Sequence, residues 1–379
     1  MIQIRSICLS AHLDSFCREL GRRLGDDFEF VYLDYPGEMR QKIGWRSEAS
    51  YRNTYDDEEA RKRSCDCEVL IVMEREFDII EKRLKSGKTT FYMAERWLKP
   101  IRIHLPFRVS IVLPGMLRML SPRYCRMTRR FVSFMDDTNF HILPIGIHAA
   151  RDLIRLQRLV RGDILCFFKT PNIKVERKLG GTIEGYPRMR LWAYFVEPSS
   201  LEKPRREETP VGGLKILWCG RMIDWKRVDV LITAVKRLRS EQDVRARNAE
   251  LLLIGEGPEL AKLRRLTKGC DFVRFEGYKK QDEVRKLMRR ADVYVMPSNS
   301  EEGWGAAVAD ASSEGCPVIS TWEAGSSATL LPEENLYHAA SVAELTHKLL
   351  EVCKHGAKCP EMSDWSGVKA AKIFLDMIR

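Results

Sequence analysis

Apolar and polar positions fall in blocks along the chain, most regularly in its second half. Apolar runs of four to six residues lie at 214–219, 251–254, 272–275, 293–296 and 317–320, the length and makeup of strands buried on both faces. Between them apolar residues recur at helical spacing. Val228, Leu231, Ile232, Val235 and Leu238 form one stripe, and 259–266, 282–290 and 306–313 are predicted helices, with two more at 342–352 and 367–378. Short strands alternating with amphipathic helices predict a parallel, doubly wound α/β sheet. The first half repeats the pattern less cleanly, with strands expected at 2–9, 28–33, 69–73, 89–92 and 141–145 and helices at 13–24 and 77–84. A stretch at 198–213, rich in Pro, Glu, Lys and Arg and ending in Gly212-Gly213, has no apolar period and marks a join. The expectation is two Rossmann-like domains, 1–200 and 201–379, facing a central cleft, with the last helix (about 364–379) able to pack back on the first domain.

Composition changes this picture little. The 379 residues fit two domains, and 44% apolar content excludes a disordered chain. The apolar stretch at 101–117 is broken by Arg102, Pro106, Arg108 and Pro114, so nothing approaches the ~20 residues of a spanning helix. Residues 1–10 lack the layout of a secretory signal, and eleven scattered Cys in a chain that needs no disulfides point to a reducing cytoplasm.

Charge changes it more. The net charge is +11, from 64 Lys and Arg against 53 Asp and Glu. Residues 1–100 contribute −1 and 201–379 contribute +2, so the excess belongs to 101–200, at +10. There Arg118, Arg123, Arg126, Arg129 and Arg130 interleave with Leu117, Leu120, Tyr124, Phe131 and Phe134. Such a segment is either a solvated helix face or a contact for an anionic surface, nucleic acid or lipid. No zinc-finger spacing or RNP-like strand accompanies it, so nucleic acid is not expected.

Three motifs carry chemistry, each after a predicted strand. Cys219-Gly220-Arg221 with Lys226 places two cations in a βα loop beside a helix start. Arg can grip two phosphate oxygens and Lys supplies a point charge, although exposed cations in such loops are also common. Gly255-Glu256-Gly257-Pro258 allows a tight turn, either plain or with close backbone approach to a ligand. It is not a GxGxxG fingerprint, which weakens a nicotinamide enzyme. Glu302-Gly303-Trp304-Gly305-Ala306-Ala307 leads into a small-residue helix that carries Asp310, so two acids about two turns apart can reach different parts of one ligand. Glu314-Gly315-Cys316-Pro317-Val318 follows.

The order and spacing of these motifs over about 214–330, with a likeness continuing to Trp365, resemble glycosyltransferase family 4. These are retaining, nucleotide-sugar-dependent enzymes of GT-B fold, and the likeness is to bacterial capsular or exopolysaccharide transferases. In the first half it is thinner: Arg40 with Gly44-Trp45, Tyr92 to Arg96, and Trp192 to Phe195. The resemblance implies that Arg221 and Lys226 hold the donor diphosphate as leaving group and that Glu302 contacts the transferred sugar. It implies that Asp310 binds the ribose, that the backbone at Gly303, Trp304 and Gly305–Ala307 meets the phosphates, and that Gly277-Tyr278 lies at the base; Gly220 and Gly255 are further donor-binding candidates. Asp310 stands where the family has Glu, one methylene longer. The family's Gly-rich loop after the first strand is replaced by Ser10-Ala11-His12-Leu13, so His12, Glu95 and His148 are only candidates on the acceptor side. No cofactor or metal is expected, the donor being a UDP- or GDP-linked sugar. The acceptor is a glycan or polyprenyl-linked glycan, at a membrane face that the Arg118–Arg130 region can approach. The alternatives are a GT-B nucleotide-sugar epimerase and a non-catalytic module docking on membrane or nucleic acid through 101–200.

Overall fold

The computed structural model describes residues 1–35, 49–104, 110–197 and 212–379. Arg40, Gly44, Trp45, Pro106, Arg108 and positions 198–211 of the predicted join lie outside the described residues. Two compact units emerge: Met1–Phe195 together with Asp364–Arg379, and Val196–Ser363.

The first unit contains β1 (Ile2–Ser6), β2 (Phe28–Tyr32), β3 (Asn53–Tyr55), β4 (Val69–Val72), β5 (Thr90–Ala94), β6 (Ile101–His104), β7 (Ser110–Leu113) and β8 (Phe140–Pro144). Six of these form a parallel sheet in the order β3-β2-β1-β4-β5-β8, and β6 pairs with β7 as a separate antiparallel pair. The predicted strand at 2–9 ends at Ser6, because the chain must turn before the helix Ala11–Leu24 begins. On one side of β1 the polar residues Gln3 and Arg5 are fully buried. Gln3 donates to Glu29 at 2.7 Å, and Arg5 reaches Glu76 (2.6 Å), Asp56 (2.7 Å) and Ser64 (2.8 Å). Glu29 also holds Arg63 at 2.9 Å, so every buried charge here has a partner, the condition under which burial is tolerated.

The helix Gly367–Met377 closes the first unit. Its Phe374 is fully buried, with ring centroids 5.9 Å from Phe16 and 5.0 Å from Phe91. Gly367 permits this crossing: a Cβ there would lie 2.5 Å from the Ser15 carbonyl carbon.

The second unit contains β9 (Lys215–Cys219), β10 (Glu250–Ile254), β11 (Val273–Phe275), β12 (Val293–Met296), β13 (Val318–Thr321) and β14 (Leu336–Tyr337). They form a parallel sheet ordered β11-β10-β9-β12-β13-β14. One core layer joins Trp218, Leu251 and Val293 to the helices Val228–Leu238 and Val342–His355. The other joins Tyr294, Met296 and Val318 to the helices Gln281–Arg290 and Ala306–Ser313. Apolar burial on both sheet faces explains why these strands read as unbroken apolar runs.

Candidate active site

In the second unit the strand order reverses at β9/β12, since β9 leads to β10 on one side and β12 to β13 on the other. Loops leaving such neighbours diverge, and open α/β sheets hold ligands in the crevice at the carboxyl ends of those strands. Four loops are stitched together at this edge. The Met222 amide donates to the Glu256 carbonyl (2.7 Å), Gly255 to Gly277 (2.6 Å), and Asn299 to Trp225 (2.9 Å). Gly255 makes the closeness possible: its φ is +122°, and a Cβ would sit 2.0 Å from the Gly220 carbonyl oxygen.

On this frame Lys226, from the loop after β9, meets Glu302, from the loop after β12, at 2.6 Å. Both side chains are largely buried, at 18% and 11% exposed, so the pair is shielded from bulk water. Arg221 is exposed, its guanidinium 6.0 Å from the centre of the Trp225 ring. The loop after β9 thus sets a cation directly against an acid of the loop after β12.

Gly305, at φ +79°, caps the helix Ala306–Ser313 in a left-handed conformation, and a Cβ there would press to 2.9 Å from the Met296 sulfur. The Gly303 and Trp304 carbonyls accept from the Gly325 (3.0 Å) and Ser326 (2.8 Å) amides, which fixes the loop behind the helix start. The Ala306 and Ala307 amides stand in the first turn, where backbone N–H groups lack helical acceptors and favour an anion. Asp310 is half-buried one turn further on. Burial, reinforced by the negative field of Asp310, pushes the Cys219 thiol up to about 12. The Tyr294 hydroxyl donates to the Cys219 carbonyl at 3.2 Å. Its own ionisation is suppressed first by burial, and the Glu302 charge adds to the effect. The negative fields of the two acids therefore both reach the Tyr294–Cys219 contact, which lies at the carboxyl end of β9. Tyr278 is 49% exposed beside Gly277, in the loop after β11.

In the first unit His12, Glu95 and His148 follow β1, β5 and β8, so all three stand at the carboxyl edge of one sheet. Glu95 accepts from Tyr194 (2.9 Å) and Lys99 (2.9 Å). Tyr194 is half-buried, and its hydroxyl holds its proton well above the ordinary tyrosine range, through desolvation first and Glu95 second. The His12 carbonyl accepts from the Phe195 amide at 2.7 Å.

Two site residues escape a sequence-based reading of roles. Asn299 ties the loops after β9 and β12, and its side-chain oxygen accepts from the Glu301 amide at 2.9 Å. Ser326 donates to the Gly305 carbonyl at 2.9 Å. The Ser-Asn-Ser run after an apolar strand is a turn signal that could have marked Asn299; nothing local marks Ser326.

With two Rossmann-like units and cations at a switch point, the fold is that of the GT-B glycosyltransferases. Residues 213–355 match the family described as glycosyl transferases group 1. Putative colanic acid biosynthesis glycosyltransferase WcaL of Escherichia coli is 32% identical over 220 residues, 49% of this chain and 53% of that protein. A GDP-mannose-dependent alpha-(1-6)-phosphatidylinositol monomannoside mannosyltransferase of Mycobacterium tuberculosis is 32% identical over 124 residues, 30% of this chain and 31% of that one. The chain thus spans about half the length of the first of these relatives and less of the second. Among solved structures, the lipopolysaccharide outer core galactosyltransferase WaaB matches with a TM-score of 0.64 at 14% identity, covering 100% of this chain and 98% of that chain. Anabaena HepE, solved in complex with UDP, gives 0.64 at 12% identity over the same shares.

Proposed function

We propose that the chain is a retaining, metal-independent glycosyltransferase of surface polysaccharide synthesis. It moves a sugar from a UDP- or GDP-linked donor to a glycan or polyprenyl-linked glycan. The observation that carries this reading is the Lys226–Glu302 contact at 2.6 Å beside Arg221. The bond that breaks joins a phosphate oxygen to the anomeric carbon. A cation for the departing phosphate and an acid for the sugar must therefore be neighbours, one on each side of that bond. As the phosphate gathers charge, preorganised Arg221 and Lys226 stabilise it at the transition state. The incoming diphosphate competes with Glu302 for Lys226, which leaves the carboxylate to accept from sugar hydroxyls. The relatives' names support the donor class, since one is GDP-mannose-dependent and HepE was solved with UDP.

The test is a screen of the purified chain against UDP- and GDP-sugars, reading released nucleoside diphosphate with and without polyprenyl-linked acceptor. Arg221→Ala and Lys226→Ala should each lose about 100-fold or more in turnover with an unchanged circular dichroism spectrum. Unchanged turnover in both rejects the reading. An epimerised sugar formed without any acceptor establishes the epimerase alternative instead.

Charge supports an acceptor at an anionic membrane face. On the helix Pro122–Phe134, Arg123, Arg126 and Arg129 are exposed at three-residue spacing. Arg130 is held by Asp78 (2.6 Å) and Glu81 (2.7 Å), and Arg118 donates to the Lys99 carbonyl at 3.3 Å. The stripe of three arginines, rather than all five, is the part that would meet anionic lipid. Among the described residues no helix is long and apolar enough to cross a membrane.

A further inference from the structure

The short helix Leu165–Phe168 turns apolar side chains to the outside. Ile164, Leu165 and Phe168 are 71%, 77% and 79% exposed. The two residues between them point the other way: Cys166 is buried, and Phe167 packs on the core of the first unit. The display is braced. Arg155, on the helix Ile147–Val160, donates to the Cys166 carbonyl and to the Phe167 carbonyl (2.6 Å). The Cys166 thiol donates to Asp163 at 3.2 Å, and the Phe167 and Phe168 rings meet edge-on at 5.3 Å. Leu165 and Phe168, three apart, and Ile164 and Phe168, four apart, share one side of a helical turn. Single exposed apolar residues are ordinary, but three grouped on a braced turn mark a surface with a partner.

The surrounding charge identifies that partner. Positions 161–178 hold five basic residues and two acids. Asp163 pairs with Arg158 at 2.9 Å and Glu176 with Lys178 at 2.5 Å, and Lys169 and Lys174 are exposed in the same stretch of chain. An apolar tip in a net-basic, exposed stretch complements an anionic bilayer, whose acyl boundary takes the tip and whose phosphates take the cations.

We propose that Ile164, Leu165 and Phe168 insert into the headgroup–acyl boundary of an anionic membrane. The proposal rests on the reading that the acceptor is lipid-linked, but its physics differs from that of the arginine stripe. Purely electrostatic docking is screened by salt, whereas apolar insertion persists.

The experiment is flotation of the full chain with vesicles of phosphatidylglycerol and phosphatidylethanolamine, at low salt and at about 1 M salt, where the Debye length falls to about 3 Å. Wild type should float at low salt and remain partly bound at high salt. The variant Ile164→Ser/Leu165→Ser/Phe168→Ser should partition at least about 100-fold more weakly, keep its melting temperature, and still release nucleoside diphosphate in solution. Phe168→Trp, which keeps the apolar tip, should float like wild type. Equal flotation of the triple-serine variant overturns the proposal. If Arg123→Ser/Arg126→Ser/Arg129→Ser then abolishes that flotation, the arginine-stripe reading survives alone. No flotation of wild type at low salt overturns both. A wild type that is dimeric by light scattering, with a monomeric triple-serine variant and no flotation, assigns the turn to self-association and also overturns the proposal.

Discussion

At the scale of single residues, the candidate site depends on backbone closeness that only glycine permits. Gly255→Ala would force a Cβ to within 2.0 Å of the Gly220 carbonyl oxygen at a φ of +122°. Strain and overpacking together should cost roughly 3 kcal/mol of stability in the second unit. Gly269→Ala is the control, since that glycine also has a positive φ but nothing lies within 4 Å of the added carbon. It should cost about 1 kcal/mol, and urea titration compares the two. Asp310 tests the shorter acid. If it accepts from the donor's ribose, Asp310→Ala should raise the donor KM about 10- to 100-fold, the worth of a charged hydrogen bond, while Asp310→Glu stays within a few-fold. An unchanged KM in Asp310→Ala would remove this residue from the site. The positions of Arg221, Lys226 and Glu302 in loops after strands, and of Asp310 within the following helix, were legible in the sequence, because apolar runs of strand length precede them. The meeting of Lys226 with Glu302 was not. It depends on β9 and β12 being sheet neighbours although 73 residues lie between them in sequence, and no local period encodes that order.

At the scale of elements, the second unit was the readable one. Its helix Ala306–Ser313 and its strand Val293–Met296 fall where the periods place them, because both faces of the sheet are apolar. The first unit hides elements for a physical reason. β3, Asn53–Tyr55, is a short edge strand of mixed polarity, and the helix Glu58–Asp66 has almost no apolar stripe to announce it. That helix covers the buried polar side of β1, so its inward-facing Ser64 bonds with Arg5 rather than with a hydrophobic core. This polar core has a pH signature. Burial raises the carboxyls of Asp56 and Glu29, but it is outweighed at Asp56 by Arg61 and Arg5 and at Glu29 by Arg63, Thr54 and Gln3, so both are held below the ordinary range. A depressed carboxyl stabilises fully above its unfolded pKa, and that contribution is lost as pH falls through the folded value. The melting temperature of the first unit should therefore hold from pH 7 to 5 and fall below about pH 4. Glu29→Gln should flatten part of that fall, and a melting curve indifferent to pH between 5 and 3 would contradict the assignment.

At the scale of the whole molecule, the chain leaves the first unit at Phe195, builds the second, and returns at Asp364. Removing residues 364–379 should strip Phe374 from its place against Phe16 and Phe91. The first unit should lose several kcal/mol, as expected for deleting large buried side chains, while the second unit's melting transition stays in place. Calorimetry of the truncated chain resolves the two, and an unchanged first transition would show that the returning helix is dispensable. The pattern of charge belongs to this scale as well. The +10 of residues 101–200 is unevenly available, since Arg130 and Arg118 make internal contacts and the exposed Arg158, Arg161 and Lys178 are ion-paired, while Arg123, Arg126, Arg129, Lys169 and Lys174 are exposed.

The returning helix also sets a timetable. During synthesis the sheet of the first unit emerges well before the helix Gly367–Met377, which is made only after about 170 further residues. At roughly 5–20 residues per second, that interval is about 10–30 s. Through it the faces of Phe16 and Phe91 that Phe374 will cover stay open on the nascent chain, while the second unit, contiguous in sequence, can complete its own core. The part of the protein that is translated first is therefore finished last, and it is the nascent first unit that a chaperone would have to shelter.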